Sequence, residues 1–414
     1  MQPKFKIVVT FAIILSYLPI LKGQITTQQI DQGIILGQIN TITTAVPFLL
    51  IAPDARAGAM GDVGVASTPD ANSMHWNPAK YAFVEKEMGF SLSYSPWLRA
   101  LVNDINLAYL TGYTKLNDQQ AIAASLLYFS LGDITFTDNV GNTLGNYRPN
   151  EFAVDATYSR KLSETFSGAV ALRYIYSNLT QGQFVGGSAT HAGQSIATDV
   201  AMYYQSKFRL QYGQNAQLGI GLNISNIGAK ISYTETTERD FIPTNMRLGS
   251  SFTIDLDQYN RFSILADVNK LLVPTPPIYA LDSAGNNVDI NQDGKPDILK
   301  GKDPNVSVVS GMFQSFSDAP GGFREELREF TYGIGVEYWY DKQFAIRGGY
   351  FHEHPTKGNR QFFTLGAGLK YNVFGLDFAY LIPVEQRNPL ENTLRFTLLF
   401  DFEALKGNSR ESTM

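Results

Sequence analysis

The sequence predicts an all-β protein, a transmembrane antiparallel β-barrel of about 14 strands with an N-terminal segment in or under the lumen. Three observations predict this fold. Apolar residues alternate with small or polar ones from residue 88 onward, short connections alternate with long ones, and charged residues keep to one parity of each strand. After residue 21 no stretch approaches the ~18 consecutive apolar residues of a spanning helix, so any membrane span must be a closed barrel.

The first 23 residues have the order of a signal peptide. Lys4 and Lys6 precede an apolar run from Ile7 to Leu21, and Gly23 supplies a small residue for cleavage. The run has about fifteen residues, fewer than the ~20 that a membrane anchor needs. The predicted organisation is a signal peptide at 1–23, an N-terminal lumen or periplasmic segment at 24–87, a barrel at 88–402 and a periplasmic C-terminal tail at 403–414.

The alternation after residue 88 is typical of strands with two unlike faces. In the first strand Phe90, Leu92 and Tyr94 alternate with glycine and serine, and the same pattern recurs to the C-terminus. Most segments have the roughly 9 to 11 residues that a tilted strand needs to cross the membrane. The predicted strands are 88–96, 104–113, 119–129, 151–159, 166–176, 195–207, 217–224, 245–256, 261–270, 331–339, 343–351, 361–371, 373–381 and 393–402.

Connection lengths test the strand count independently, because outer-membrane barrels alternate short periplasmic turns with longer outer loops. The connections after even-numbered strands are short, and the second to fifth after odd-numbered strands are longer than any of them. The longest outer loop is 271–330. This order predicts a multi-pass barrel in the bacterial outer membrane, in contact with its lipid and with both chain ends in the periplasm.

Charged residues within the strands supply a third test, since Arg or Lys facing hydrocarbon at the membrane midplane costs about 2–4 kcal/mol. Nine of them fall on the parity opposite to the large apolar residues of their strand. We therefore expect them inside the lumen, where residues of opposite sign form structural ion pairs. They are Asp155, Arg173, Asp199, Arg247, Asp267, Glu337, Arg347, Asp377 and Arg395.

Composition argues against several functions. The chain has no cysteine, which excludes thiol catalysis and Cys-ligated zinc, and its net charge of −5 without a basic cluster argues against a nucleic-acid partner. Its four histidines fall in predicted loops or in the N-terminal segment, and no nucleophile elbow or metalloprotease motif is present. We expect the protein not to be an enzyme. The histidines are His75, His191, His352 and His354.

One segment of the longest outer loop carries metal-binding chemistry. Oxygen side chains stand at positions one, three, five and nine, with glycine at position six, as in the first part of an EF-hand calcium loop. Position twelve is Lys300 instead of the bidentate glutamate, and an ordinary turn rich in Asn, Asp and Gly has the same composition. Calcium is the one cofactor that the sequence suggests, with a plain turn as the alternative. The candidate ligands are Asp289, Asn291, Asp293 and Asp297.

The segment before the first strand resembles the FadL family of outer-membrane transporters, whose barrel has fourteen strands. The stretches that carry this resemblance are 61–66, 70–73 and the hatch motif Trp76, Asn77, Pro78 and Ala79. A closer similarity is to the PorV family, FadL-like proteins of the Bacteroidetes type IX secretion system. It is carried by residues 45–58, 75–81, 302–305 and 313–323.

The closer resemblance implies a non-enzymatic component of type IX secretion. It implies that the protein binds the C-terminal signal domains of secreted cargo at a large outer-membrane translocon subunit and passes the cargo to a cell-surface sortase. A FadL-like channel for hydrophobic small molecules is the alternative. In the long outer loop, Phe313, Phe316 and Phe323 stand in a polar setting. They are our candidate partner-binding residues, because exposed aromatic side chains provide interface anchors.

Overall fold

Fourteen antiparallel strands form a closed barrel in the computed structural model, each strand pairing with its neighbours in sequence and the first pairing with the last. The strands are β1 (Met88–Pro96), β2 (Asn106–Asn117), β3 (Gln120–Ser130), β4 (Asn150–Lys161), β5 (Phe166–Asn178), β6 (Gly193–Arg209), β7 (Asn215–Gly228), β8 (Asn245–Asp255), β9 (Asn260–Leu271), β10 (Phe330–Tyr340), β11 (Phe344–His352), β12 (Gln361–Tyr371), β13 (Phe374–Pro383) and β14 (Leu394–Phe402). The predicted fold class is confirmed.

The structure describes residues 39–402 except 99–101, 103, 138–139, 186–187, 212, 236–238, 283–285 and 386–387. The predicted signal peptide, residues 24–38 and the predicted C-terminal tail at 403–414 lie outside the described residues. The chain divides into two units, residues 1–40 and 41–414, and every element described below belongs to the second.

All fourteen predicted strands are present, and most of their ends lie within two residues of the prediction. The largest differences are at the ends of β2 and β7, which continue four residues further, to Asn117 and Gly228. The alternation of side chains has ended there, but the backbones still pair, as Asn117 does with Gln120. His352, expected in a loop, is instead the last residue of β11.

The predicted alternation of connections is confirmed. The connections after even-numbered strands are turns of two to five residues, such as 118–119 and 210–214, whereas β9 and β10 are joined by the long outer loop 272–329. The outer connections contain short hairpins at Ile134–Thr137 with Thr143–Tyr147, Phe184–Val185 with Ser188–Ala189, and Ile278–Tyr279 with Ile298–Lys300. They also contain the helices Val308–Gln314 and Phe323–Arg328 and the 3-10 turn Pro355–Lys357.

Side chains divide between the two faces of the wall as predicted. Outward residues such as Leu92 and Leu248 are nearly half exposed, while all nine charged residues assigned to the lumen are at most 7% exposed. No helix among the described residues is both long enough and apolar enough to cross a membrane.

The described part of the N-terminal segment fills the lumen. It contains two 3-10 turns, Pro47–Leu50 and Pro78–Phe83, and two short helices, α1 (Ala55–Gly58) and α2 (Ser73–Trp76). For residues 24–87 the sequence left two places open, the lumen and its periplasmic mouth. Residues 41–52 do not lie at the periplasmic mouth, because Ala45 donates a backbone hydrogen bond to Phe241 in an outer connection.

Candidate functional site

The N-terminal segment crosses the lumen where the wall has inward-facing glycines. An ideal Cβ on Gly349 would lie 2.1 Å from the carbonyl carbon of Met60, and one on Gly221 would lie 2.2 Å from the carbonyl oxygen of Val65. Since a Cβ cannot approach a backbone this closely, the wall needs glycine at these positions. The wall and residues 54–84, which we call the plug, are therefore fitted to each other.

Arg56 joins the plug to the wall through a buried ion network. Its guanidinium donates to both carboxylate oxygens of Glu337, at 3.0 and 2.8 Å, and to Asp70 at 2.8 Å. Glu337 also accepts from Arg347, which in turn donates to Asp377. Buried charges are tolerated when they are paired in this way, so each residue of the network depends on the others.

The hatch motif at residues 76–79 provides a second attachment of the plug. Asn77 Nδ2 donates to the carbonyl oxygens of Val65 and Met202, at 3.0 and 2.9 Å, and so joins the plug to β6. The carbonyl oxygen of Ala79 accepts hydrogen bonds from serines of β4 and β5. The motif is thus hydrogen-bonded to three neighbouring strands, β4, β5 and β6.

Asp54 connects two parts of the plug. Its carboxylate caps α1 by accepting from Ala57 N at 2.9 Å, and it accepts from Trp76 Nε1 at 2.6 Å. Burial, together with the nearby charge of Asp70, raises the pKa of this carboxyl to about 6. Burial and the neighbouring Arg247 hold the pKa of His75 well below its usual value, so this imidazole is neutral.

Cavities lie on both sides of the plug. The periplasmic cavity has a volume of about 720 Å³, and the ends of β6, β9 and β10 contribute to its wall. The outer cavity has a volume of about 460 Å³ and contains Trp76 and Asp62 of the plug among its lining residues. Residues 41–44, Leu50, Ile51, Arg247 and Phe351 also line the outer cavity.

The long outer loop is fixed to the barrel rim by a buried cluster of opposite charges. Lys270 Nζ, at the outer end of β9, lies 2.7 Å from Glu329 and 3.4 Å from Glu326. Lys357 Nζ lies 2.9 Å from Glu329 and 2.6 Å from Glu325. The side chain of Lys270 is completely buried and that of Glu329 nearly so. The loop base is therefore held in one position by short ionic contacts.

This cluster was not predicted from the sequence, although one signal of it is present there. Lys270 falls on the outward parity of β9, with Ile264, Ala266 and Val268, where a charge facing lipid would be costly. A lysine on the lipid-facing side of a strand implies that another part of the chain shields its charge. The acidic residues before β10 do so.

Two helices of the loop carry exposed apolar side chains. In α3 (Val308–Gln314), Val309 and Phe313 are four residues apart and are 59% and 76% exposed. In α4 (Phe323–Arg328), Phe323 and Leu327 have the same spacing and are 77% and 49% exposed. We call these four residues the outer-loop surface.

Phe316, the remaining predicted partner-binding residue, is in a different environment. It is 45% exposed, and its ring centroid lies 5.6 Å from Lys270 Nζ. Phe316 therefore packs on the charge cluster at the loop base, whereas Phe313 and Phe323 are free to contact another molecule.

The candidate calcium segment forms a closed turn in the same loop. The Asp289 carboxylate accepts backbone hydrogen bonds from Asp293 and Gly294, and the Asn291 side chain also accepts from Asp293. The Asp293 carboxylate accepts from Lys295. No group of three or more His, Cys, Asp or Glu side chains arranged to hold a metal occurs in the described part of the chain. Calcium binding remains a prediction.

A family model described as type IX secretion system protein PorV matches residues 36–278, which is more than half of the chain. The chain belongs to the PorV family. This PorV-family barrel is an outer-membrane protein and a component of type IX secretion.

Several solved structures are similar in fold to the PorV-family barrel. The toluene transporter TbuX of Ralstonia pickettii is 11% identical, with a TM-score of 0.43 over 84% of this chain and 98% of that one. The toluene transporter TodX of Pseudomonas putida is 12% identical, with a TM-score of 0.42 over 87% and 98%. A FadL homologue of Pseudomonas aeruginosa is 11% identical, with a TM-score of 0.38 over 88% and 100%. No curated protein matches the sequence.

Proposed function

We propose that this PorV-family protein is a non-enzymatic cargo carrier. It binds the C-terminal signal domains of secreted proteins at a large translocon subunit in the outer membrane and passes them to a cell-surface sortase. The observation that carries the proposal is the outer-loop surface, whose apolar side chains are exposed on a loop held rigid at its base. A preordered loop loses little conformational entropy on binding, which favours its use as a docking site.

The double variant Phe313→Ala with Phe323→Ala tests this role. We expect it to assemble normally, since both side chains are more than three-quarters exposed. Co-purification of secreted cargo or of a large membrane partner should fall about tenfold, as expected when interface anchors are truncated. The measurement is quantitative mass spectrometry of detergent pull-downs, together with the periplasmic level of secreted proteins.

A matched control is Phe184→Ala, because Phe184 is 71% exposed in a different outer connection. It should leave partner recovery unchanged. A double variant that assembles, retains every partner and supports normal secretion would reject the outer-loop surface as a docking site.

The two cavities support one further candidate, a channel for hydrophobic small molecules. A ligand in the outer cavity would have to displace part of the plug to reach the periplasmic cavity. This function predicts that uptake of such a compound is lost when the barrel is deleted, with protein secretion unaffected. Loss of secretion with normal uptake favours the carrier instead.

A further inference from the structure

We propose that the outer cavity is a peptide-binding site that receives an extended segment from the cell-surface side and holds its carboxylate on Arg247. This proposal deepens the cargo-carrier function, which it uses only to identify secreted proteins as the source of the peptide. It rests on residues that the outer-loop surface does not include.

Arg247 is a buried cation without an anionic partner. The residue is 6% exposed, and no carboxylate oxygen among the described residues lies within 4.0 Å of its guanidinium. Its direct contacts are uncharged: the carbonyl oxygen and Nε2 of His75, both at 3.4 Å, and the face of Trp76, at 4.8 Å. Asp267 and Asp62 act on it electrostatically from a greater distance. A buried charge in this state is costly, and a ligand carboxylate would compensate it.

Four other arginines in the lumen do have carboxylate partners. Arg56, Arg173, Arg347 and Arg395 each form an ion pair with a carboxylate. Arg247 differs from them in that it also lines the outer cavity. The unpaired cation is therefore placed where a molecule from outside can reach it.

A second observation indicates a peptide ligand. Residues 41–44 line the same cavity outside any helix or strand, and none of the described residues forms a backbone hydrogen bond with them. Unpaired backbone donors and acceptors in a row form an edge on which an extended peptide can add as a strand. A lipid tail would leave these backbone groups without partners.

The residues that line the outer cavity suit the end of a peptide chain. The plug contributes Trp76 and Asp62 to the lining, and the carboxylate of Asp62 is already paired with Arg395 at 3.0 Å. Leu50, Ile51 and Phe351 supply apolar wall for its side chains. If the C-terminus of a peptide enters first, its carboxylate can pair with the Arg247 guanidinium, and the peptide brings no other charge into the cavity. The carboxylate of an acidic side chain could form the same pair.

The test uses the purified full-length barrel in detergent and a fluorescein-labelled six-residue peptide of alternating valine and threonine. The peptide is prepared as the free acid, as the C-terminal amide, and as the amide with aspartate in last place. Fluorescence anisotropy should show the free acid binding at least about tenfold more tightly than the plain amide, because a charge-assisted pair is lost. If the aspartate peptide binds as tightly as the free acid, the site accepts a side-chain carboxylate as well as a C-terminal one.

Three variants assign the contacts. Arg247→Gln should abolish the preference for the free acid, and Thr43→Pro should weaken all three peptides because it removes an edge N–H. Arg261→Gln, at the periplasmic mouth, should change nothing. Heat-dependent gel mobility confirms that each variant is folded, and Thr43 is exposed, so its substitution tests the site even where Arg247→Gln does not fold.

Equal binding of acid and amide, failure of the free acid to bind, or retention of the preference in Arg247→Gln overturns the proposal. Displacement of the peptide by decanoate, with no difference between acid and amide, would instead assign the cavity to lipid-like amphiphiles. Each of these results leaves the outer-loop surface standing, since that surface is tested separately by partner recovery in the Phe313 and Phe323 variant.

Discussion

Arg56 donates hydrogen bonds to both carboxylate oxygens of Glu337, at 3.0 and 2.8 Å, although 281 residues separate the two in sequence. The pair joins the plug to the second half of β10. Because Glu337 is shared with Arg347, this contact couples the position of the plug to the ion network of the wall.

Arg56→Met should loosen the plug. The change removes the ion pair of Asp70 and leaves the buried Glu337 with one arginine fewer. We expect the free energy of unfolding to fall by an amount on the order of 3–5 kcal/mol. We expect a lower temperature for the gel-mobility transition and larger conductance in planar bilayers. Arg261→Met is the matched control, because that arginine is 40% exposed in its pair with Asp255. Wild-type conductance in Arg56→Met would show that other contacts hold the plug.

Two adjacent glycines of β11 should respond differently to alanine. A Cβ on Gly349 would meet the backbone of Met60 at 2.1 Å, whereas one on Gly348 meets its nearest atom at 3.7 Å. Gly349→Ala should destabilise the plugged barrel by about 1–3 kcal/mol or more, the range for overpacking. Gly348→Ala should behave as wild type. Thermal gel-mobility curves compare the two, and identical curves would mean that plug and wall are not tightly fitted.

The topology predicts opposite accessibility of two connections. Cysteine introduced singly at Phe184 and at Ser163 should be labelled by an impermeant maleimide on intact cells only at residue 184. The chain has no native cysteine, so background labelling is absent. Equal labelling of both positions would contradict the assignment of long loops to the outside.

Asp289→Ala with Asp293→Ala tests calcium binding in the outer loop. If calcium binds, it neutralises the acidic segment and orders it, so the wild-type loop should resist protease more with calcium than with chelator. The double variant should be cleaved equally under both conditions. A wild-type digestion pattern that chelator does not change would identify the segment as an ordinary turn.

Asp54 should make stability fall with rising pH. Its pKa is about 6 in the folded protein against 3.8 for an ordinary aspartate side chain, so the folded state binds the extra proton between these values. Its contribution is fully present below pH 3.8 and is lost as pH rises through about 6. The difference of about 2 pH units corresponds to about 3 kcal/mol. Asp54→Asn should flatten the pH dependence of thermal unfolding over this window, and an unchanged slope would contradict the assignment.

Much of the barrel could be predicted from sequence. The faces of β1 follow from Phe90, Leu92 and Tyr94 alone, because a period of two is a local property of the chain. The burial of Asp267 and Arg395 follows from their parity in the same way. The entry of residues 41–52 at the outer mouth could not be predicted, since the segment lacks alternation and its place depends on contacts such as that of Ala45 with Phe241.

The sequence by itself determined the number of strands, which face of each strand meets lipid, and which side chains are charged within the lumen. These properties depend on residue spacing and on the cost of placing charge in hydrocarbon. The tertiary structure alone decided which charges pair, that Arg247 has no carboxylate partner among the described residues, that position 349 must be glycine because the backbone of Met60 lies against it, and that Lys270 is covered by the outer loop. Each of these depends on groups far apart in the chain, whose meeting is fixed only when the barrel closes around the plug.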